Sequence, residues 1–234
     1  TLIEHLNGLL TPSEGKIQVR GKALTGEEDS SLWKVVGVVF QEADDQLFAP
    51  TVLDDVMFGP LNLGLTREEA RERAVRALEA GGGSHLAGRL PNYLSGGEKR
   101  LIAIAGIIAI LPRVIALDEP TSDLDPVNSE VIERLIVRLK EEFGIGVVIA
   151  THDLDLAARV ADRICLVRHG SVFAEGPPGE VFYDEDLVRE AGLRIPSGIQ
   201  IYLDLCRAKG IAPGGRPVKR EEIVAALGAL GERG

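Results

Sequence analysis

The sequence predicts an α/β fold built on a parallel sheet, and two observations carry that expectation. Short apolar or β-branched runs recur at residues 34–40 (KVVGVVF), 113–117 (RVIAL) and 147–151 (VVIAT). Runs of this kind suit strands buried on both faces. Helical patterns separate them, as strand–helix–strand crossovers require.

Each element has a local reason. Thr66-Arg67-Glu68-Glu69 has the form of a capping box and opens a helix expected to run to about Ala80, with residues 81–83 as the loop beyond it. Residues 101–111 are apolar throughout and stop at Pro112-Arg113. They fall short of the roughly 20 residues that span a bilayer, so a buried core helix is expected. Asp125 and Pro126 supply an N-cap and a proline at the first helical position, and Gly144 closes that helix. Residues 163–167 and 171–175, around His169-Gly170, read as a hairpin. After about Ala191 the pattern changes to two short helical pieces, 199–209 and 220–230, separated by a Pro/Gly-rich turn at 212–217.

Composition narrows the function. The chain of 234 residues carries 26 Lys and Arg against 36 Asp and Glu, a net charge of −10. That balance argues against non-specific binding to nucleic acid or anionic lipid and leaves room for a basic protein partner. Cys165 and Cys206 have no metal-ligand spacing, so reduced thiols are expected. No secretory pattern opens the chain, and its first residue is Thr1, so a preceding segment is expected.

Four segments carry chemistry. Leu94-Ser95-Gly96-Gly97-Glu98 precedes the long apolar helix. Its glycines let backbone N–H groups approach an anion, the helix N-terminus adds partial positive charge, and Ser95 can donate a hydroxyl hydrogen bond. Alone, the same residues also read as a plain helix cap. Residues 113–117 end in Asp118-Glu119, which places two carboxylates at the carboxyl edge of the sheet, where α/β proteins bind ligands. Asp118 suits Mg²⁺ held through water, and Glu119 suits orienting or deprotonating an attacking water. Read singly, they are solvated acids at a strand end. His152 follows the third strand and can reach a γ-phosphate or cap the next helix. Gln41 follows the first strand and can sense metal or water, or serve as a loop amide.

Together these segments resemble the ABC ATPase family: Gln41 matches its Q-loop, residues 94–98 its signature, residues 117–119 its Walker B strand and catalytic glutamate. Residues 122–125 match the D-loop and His152 the switch histidine. The resemblance runs from Thr1 to at least Pro196. It implies a P-loop NTPase-like cassette over residues 1–190, with a helical signature subdomain at about 42–111 and a small helical appendage at 191–234. It also implies ATP and Mg²⁺ as cofactors, with Glu119 and His152 catalytic and Asp118 and Gln41 at the metal. Thr1, Gln41, Ser95, Gly96, Gly97, Glu98 and Asp125 would contact nucleotide, the signature residues acting in trans on a partner cassette's ATP.

A narrower resemblance links residues 38–52, 58–64 and 176–182 to the ATPases of energy-coupling-factor importers, nearest the cobalt- or nickel-type subunits. It implies a second ABC ATPase subunit, a transmembrane T-type subunit and a substrate-binding membrane subunit as partners, at the cytoplasmic face of the membrane. Asp44, Asp45, Gln46, Leu47 and Phe48 would line the groove that receives the T-type subunit. No nucleic-acid partner is implied.

The sequence departs from the family in lacking the loop G-x-x-x-x-G-K-[ST], whose N–H groups and lysine hold the phosphates. Thr1 would be the residue after its metal-binding hydroxyl, and the strands before the loop would be missing too. The chain as given is therefore expected to bind ATP poorly. A non-hydrolysing subunit that lends its signature to an active partner, and a soluble ABC ATPase of DNA repair or translation, are the competing readings. Glu98 stands where many relatives carry glutamine. Leu101 replaces a usual arginine, with an altered local ion pair expected.

Overall fold

The computed structural model describes residues 2–19, 22–23 and 32–231. Its contacts divide the chain into two compact units, Thr1–Thr151 and His152–Gly234.

The first unit opens with a short helix α1 (Leu2–Leu6) and two short paired strands, β1 (Gln18–Val19) and β2 (Lys22–Ala23). The sheet beneath the site follows, with β3 (Val36–Val39), β4 (Val114–Asp118) and β5 (Gly146–Ala150) parallel in the order β3-β4-β5. Its register pairs Val39 with Leu117 and Asp118 with Ala150. That register brings Gln41, Asp118-Glu119 and Thr151 to one edge, because parallel strands all end on the same side. The expected strand cores hold, with boundaries shifted by one or two residues.

Three helices connect β3 to β4: α2 (Val52–Asn62), α3 (Arg67–Gly81) and α4 (Gly96–Ile110). The Thr66–Glu69 capping box forms as predicted, and Gly82, at φ 76°, ends α3 in the left-handed conformation. In α4, Ile102, Ile104 and Ile108 are all but fully buried, each contributing roughly 1.5–3 kcal/mol of hydrophobic transfer. Gly37 on β3 lets α4 lie directly on the strand, since a Cβ there would overlap the Ile107 side chain. No helix among the described residues is long and apolar enough to cross a membrane. Helix α5 (Pro126–Glu141) returns the chain to β5, with Asp125 as N-cap and Gly144 in the left-handed region at φ 63°.

The second unit contains α6 (Leu154–Val160), the hairpin β6 (Ile164–Arg168) and β7 (Ser171–Gly176), then α7 (Pro178–Val181), α8 (Glu185–Glu190), α9 (Ser197–Ala208) and α10 (Arg220–Gly231). His169 and Gly170 both have positive φ, at 50° and 75°. That is the turn a two-residue hairpin with right-twisted strands requires. Phe182, Val188, Ile199 and Tyr202 share one core with Ile164 and Leu166 of the hairpin. The C-terminal helices thus belong to the same packed body as residues 152–190. Asp155 on α6 accepts hydrogen bonds from the backbone N–H (2.7 Å) and the hydroxyl (2.8 Å) of Ser197, fixing the start of α9.

Candidate active site

At the end of β4 the chain departs from strand geometry. Glu119 has φ 45°, a left-handed conformation that costs a non-glycine residue about 1–2 kcal/mol. Two bonds hold it there. Its backbone N–H donates to the Ala150 carbonyl (2.9 Å), and its carboxylate accepts from the Thr151 hydroxyl (3.0 Å). The Glu119 carbonyl also accepts from the Ser122 N–H and hydroxyl, closing the turn toward α5. The carboxylate is therefore half-buried and aimed by the neighbouring strand rather than left to solvent. Thr151 was the last residue of the predicted third strand, but nothing local marked its bond to a residue 32 positions away.

Asp118 closes β4 beside this turn, half-buried, and Gln41 is exposed two residues beyond β3. Among the described residues no group of three or more His, Cys, Asp or Glu side chains gathers as a metal cage. The Asp118 carboxylate and the Gln41 amide, at the same sheet edge, are oxygen donors of the kind Mg²⁺ takes, an ion that keeps several of its waters.

The signature segment forms the N-terminus of α4. Ser95 is the N-cap: its Oγ accepts from the Glu98 N–H (3.3 Å), and the Glu98 carboxylate accepts from the Ser95 N–H (2.7 Å). That backbone bond, more than the Ser95 hydroxyl or the nearby Arg89, holds the Glu98 carboxyl below the usual carboxylate range. Arg89 also donates to Glu98 (3.2 Å). Ser95 thus caps the helix, and its hydroxyl hydrogen is still able to donate outward. Gly96 is exposed, and a Cβ there would meet nothing within 4 Å. Gly97 is buried, and a Cβ would overlap the Asn128 side chain. The open first turn suits an anion such as a phosphate.

Asn128 belongs to α5, and Asp125 holds it. One Asp125 carboxylate oxygen accepts from the N–H groups of Val127 (2.9 Å) and Asn128 (3.0 Å), while the other takes the Asn128 side-chain amide. These bonds, led by the Asn128 N–H, depress the Asp125 carboxyl. Sequence reasoning placed Asp125 at nucleotide; here both its oxygens serve its own helix.

The segment after Gln41 is folded back on the strand. Gln46 turns inward, its Oε1 accepting from the Phe40 N–H (3.0 Å) and its Nε2 donating to the Val38 carbonyl (3.1 Å). Buried Asp55 of α2 accepts from the N–H groups of Phe48 (2.8 Å) and Ala49 (2.7 Å). Phe48 stands outward, 65% exposed, edge-on to Phe58 with ring centroids 4.7 Å apart. Asp45 is exposed, Leu47 half-buried, and the Asp44 backbone lies in the same 3₁₀ turn. The inward set of Gln46 and the clamp by Asp55 were not legible in the sequence, although Asp54-Asp55 after Thr51 hinted at a helix start.

Thr1 lies outside the described residues. His152 opens the second unit as an exposed residue, and Asp153 after it caps α6 through the Leu156 N–H (2.9 Å). The first unit thus brings together Gln41, Asp118 and Glu119 at the sheet edge. It ties the signature residues to α5 instead.

Comparison with known proteins agrees with this geometry. The ABC transporter family profile matches residues 1–122. An ABC transporter ATP-binding protein of Methanosarcina mazei is 43% identical over 90% of this chain, which spans 64% of that relative's length. The energy-coupling factor transporter ATP-binding protein EcfA1 of Methanospirillum hungatei is 42% identical over 99% of this chain and 83% of its own. The structure of cbiO1 from Clostridium perfringens, described as part of the ABC transporter complex cbiONQ, superimposes with a TM-score of 0.72 at 38% identity. It covers 83% of this chain and 78% of that one. With its sheet edge, its capped signature helix and these likenesses in accord, the chain belongs to the ABC transporter family and has the fold of its ATPase cassettes.

Proposed function

We propose that this subunit hydrolyses ATP to energise an importer of the energy-coupling-factor type, with cobalt or nickel ions as the transported substrate. The observation that carries the catalytic part is Glu119, kept in a costly backbone conformation with its carboxylate bonded to Thr151. Backbone strain persists only where the surrounding structure holds it, as the bonds to Ala150 and Thr151 do here, and such held strain clusters at functional sites. Glu119 aligns a water and accepts its proton as the new P–O bond to the γ-phosphorus forms, while the bond from that phosphorus to the β,γ-bridging oxygen breaks and ADP leaves with the electron pair. Asp118 and Gln41 would hold Mg²⁺, which when bound would neutralise charge on the phosphates. His152 is placed in the sequence to bond the γ-phosphate, and Ser95, Gly96 and Gly97 serve the nucleotide of a partner cassette.

Support for the importer reading comes from the names of the relatives and from the surface after Gln41. The exposed Phe48–Phe58 pair offers an apolar contact, with exposed Asp45 three residues before Phe48 in the chain. That suits a helix of a T-type membrane subunit carrying basic residues, at the cytoplasmic face of the membrane. The decisive test is ATP turnover by the intact subunit. Glu119→Gln keeps the shape and removes the base, so kcat is expected to fall by about 10²–10⁴-fold with nucleotide binding retained. Turnover equal to the parent's would remove Glu119 from the reaction.

A further inference from the structure

Phe40 is the residue between β3 and Gln41, and side chains from two distant places hold both of its backbone polar groups. Its N–H donates to Gln46, and its carbonyl accepts from Nη1 of Arg100 (2.8 Å). Gln46 belongs to the turn that carries Asp45 and Phe48, whereas Arg100 sits on α4 one turn past the signature glycines. The three segments therefore meet at a single residue, through the two peptide groups that flank it.

Arg100 is an unusual group to find there. It is only 5% exposed, and among the described residues its Nε has no hydrogen-bond partner. Leaving a buried charged donor unbonded is costly, so its retention calls for a compensating task. Burial makes the guanidinium easier to deprotonate than usual; Glu42, Asp123 and Asp118 oppose that, in descending order. Glu42 follows β3, Asp118 ends β4 and Asp123 follows it, at the sheet edge where the candidate catalytic groups stand. Arg100 thus links the signature helix, the Phe40 carbonyl and the negative field of that edge.

We propose that Arg100 is a positioning residue for Gln41, acting with Gln46 through the peptide groups of Phe40. The clamp fixes the point from which the Gln41 side chain departs. It also makes the signature helix and the Phe48 turn move with that point. The functional meaning rests on the reading of Gln41 as a metal or water contact; the clamp itself does not.

Amide hydrogen exchange on the intact chain tests the clamp without recourse to turnover. Arg100→Met, close in shape but without charge or donor, is expected to raise exchange across residues 39–46 by about tenfold. Exchange in α3 should stay within twofold of the parent, which separates local release from general destabilisation. Arg100→Lys keeps a charged donor and is expected to restore most of the protection. Protection at 39–46 that is unchanged in a folded Arg100→Met chain, or lost as fully in Arg100→Lys as in Arg100→Met, overturns the proposal. Gln41→Ala leaves both clamp bonds in place. If nucleotide binding keeps its Mg²⁺ dependence in that variant, the reading of Gln41 falls while the clamp stands.

Discussion

Two helices of the first unit begin with the same device, yet only one of them is proposed to meet a ligand. Thr66–Glu69 opens α3 and Ser95–Glu98 opens α4, and both boxes close with nearly equal bonds: 2.8 and 3.3 Å in the first, 2.7 and 3.3 Å in the second. What differs is the pair between cap and glutamate. In α3 it is Arg67-Glu68, two solvated side chains; in α4 it is Gly96-Gly97, one open to solvent and one pressed on Asn128. A capping box therefore starts a helix without saying what the helix does. Function resides in what is left bare, or brought close, inside the box.

The largest effect that would break this contrast is at the glycines. Gly97→Ala drives a Cβ into Asn128, and overpacking of this kind costs about 1–3 kcal/mol. Gly96→Ala meets open space and is expected to raise stability by about 0.4–1 kcal/mol, since it restricts the unfolded chain. Urea unfolding should therefore separate two neighbouring glycines by sign, while ATP turnover falls in both. Two variants of equal stability would mean that Asn128 yields and the close approach is not a constraint.

The caps come next. Thr66→Ala and Ser95→Ala each remove one cap, at about 0.5–2 kcal/mol apiece in unfolding free energy. Turnover distinguishes them: it should survive Thr66→Ala and drop in Ser95→Ala. Equal turnover in both would reduce the signature serine to a cap.

The smallest effect is shared. Glu69 is held below the usual 4.5 first by the Thr66 hydroxyl and then by its N–H, and Glu98 first by the Ser95 N–H. A carboxyl depressed in the folded state adds stability that is complete above its unfolded value. That stability is lost as pH falls through the lower folded value. The urea midpoint should accordingly drop as pH falls from above 4.5 through the depressed folded values, and Glu69→Gln or Glu98→Gln should each shave part of that drop. Profiles superimposable on the parent's would show that neither box is linked to protons.

These same caps were legible in the sequence because everything they need lies within four residues. So were the strand cores, whose apolar runs have no other place to go, and the hairpin at His169-Gly170. Helix α2 was missed because Gly59-Pro60 looks like a break, although Thr51 caps the helix and its buried face holds Val52, Val56 and Met57. The positions of Asp118 and Glu119 at a strand end could be read, but the bond from Thr151 could not, since it depends on strand register. Arg100 reaches 60 residues back to Phe40, and Gln46 returns to its own strand. No periodicity encodes either contact. The ion pair expected to change at Leu101 gives way to burial: Leu101 packs beside Gly81 and Gly83 at the end of α3.

The inward turn of Gln46 has one more consequence, for solubility. The Val35 carbonyl bonds toward β4, so by alternation the Val38 carbonyl and Phe40 N–H face the other way, along the side of β3 that has no neighbouring strand among the described residues. Uncharged and rich in valine, residues 35–40 have the composition of a segment that recruits foreign strands. The Gln46 amide takes up both groups and imitates one residue of a neighbouring strand. A single side chain thereby denies an intruding chain its first two hydrogen bonds at the edge most prone to self-association.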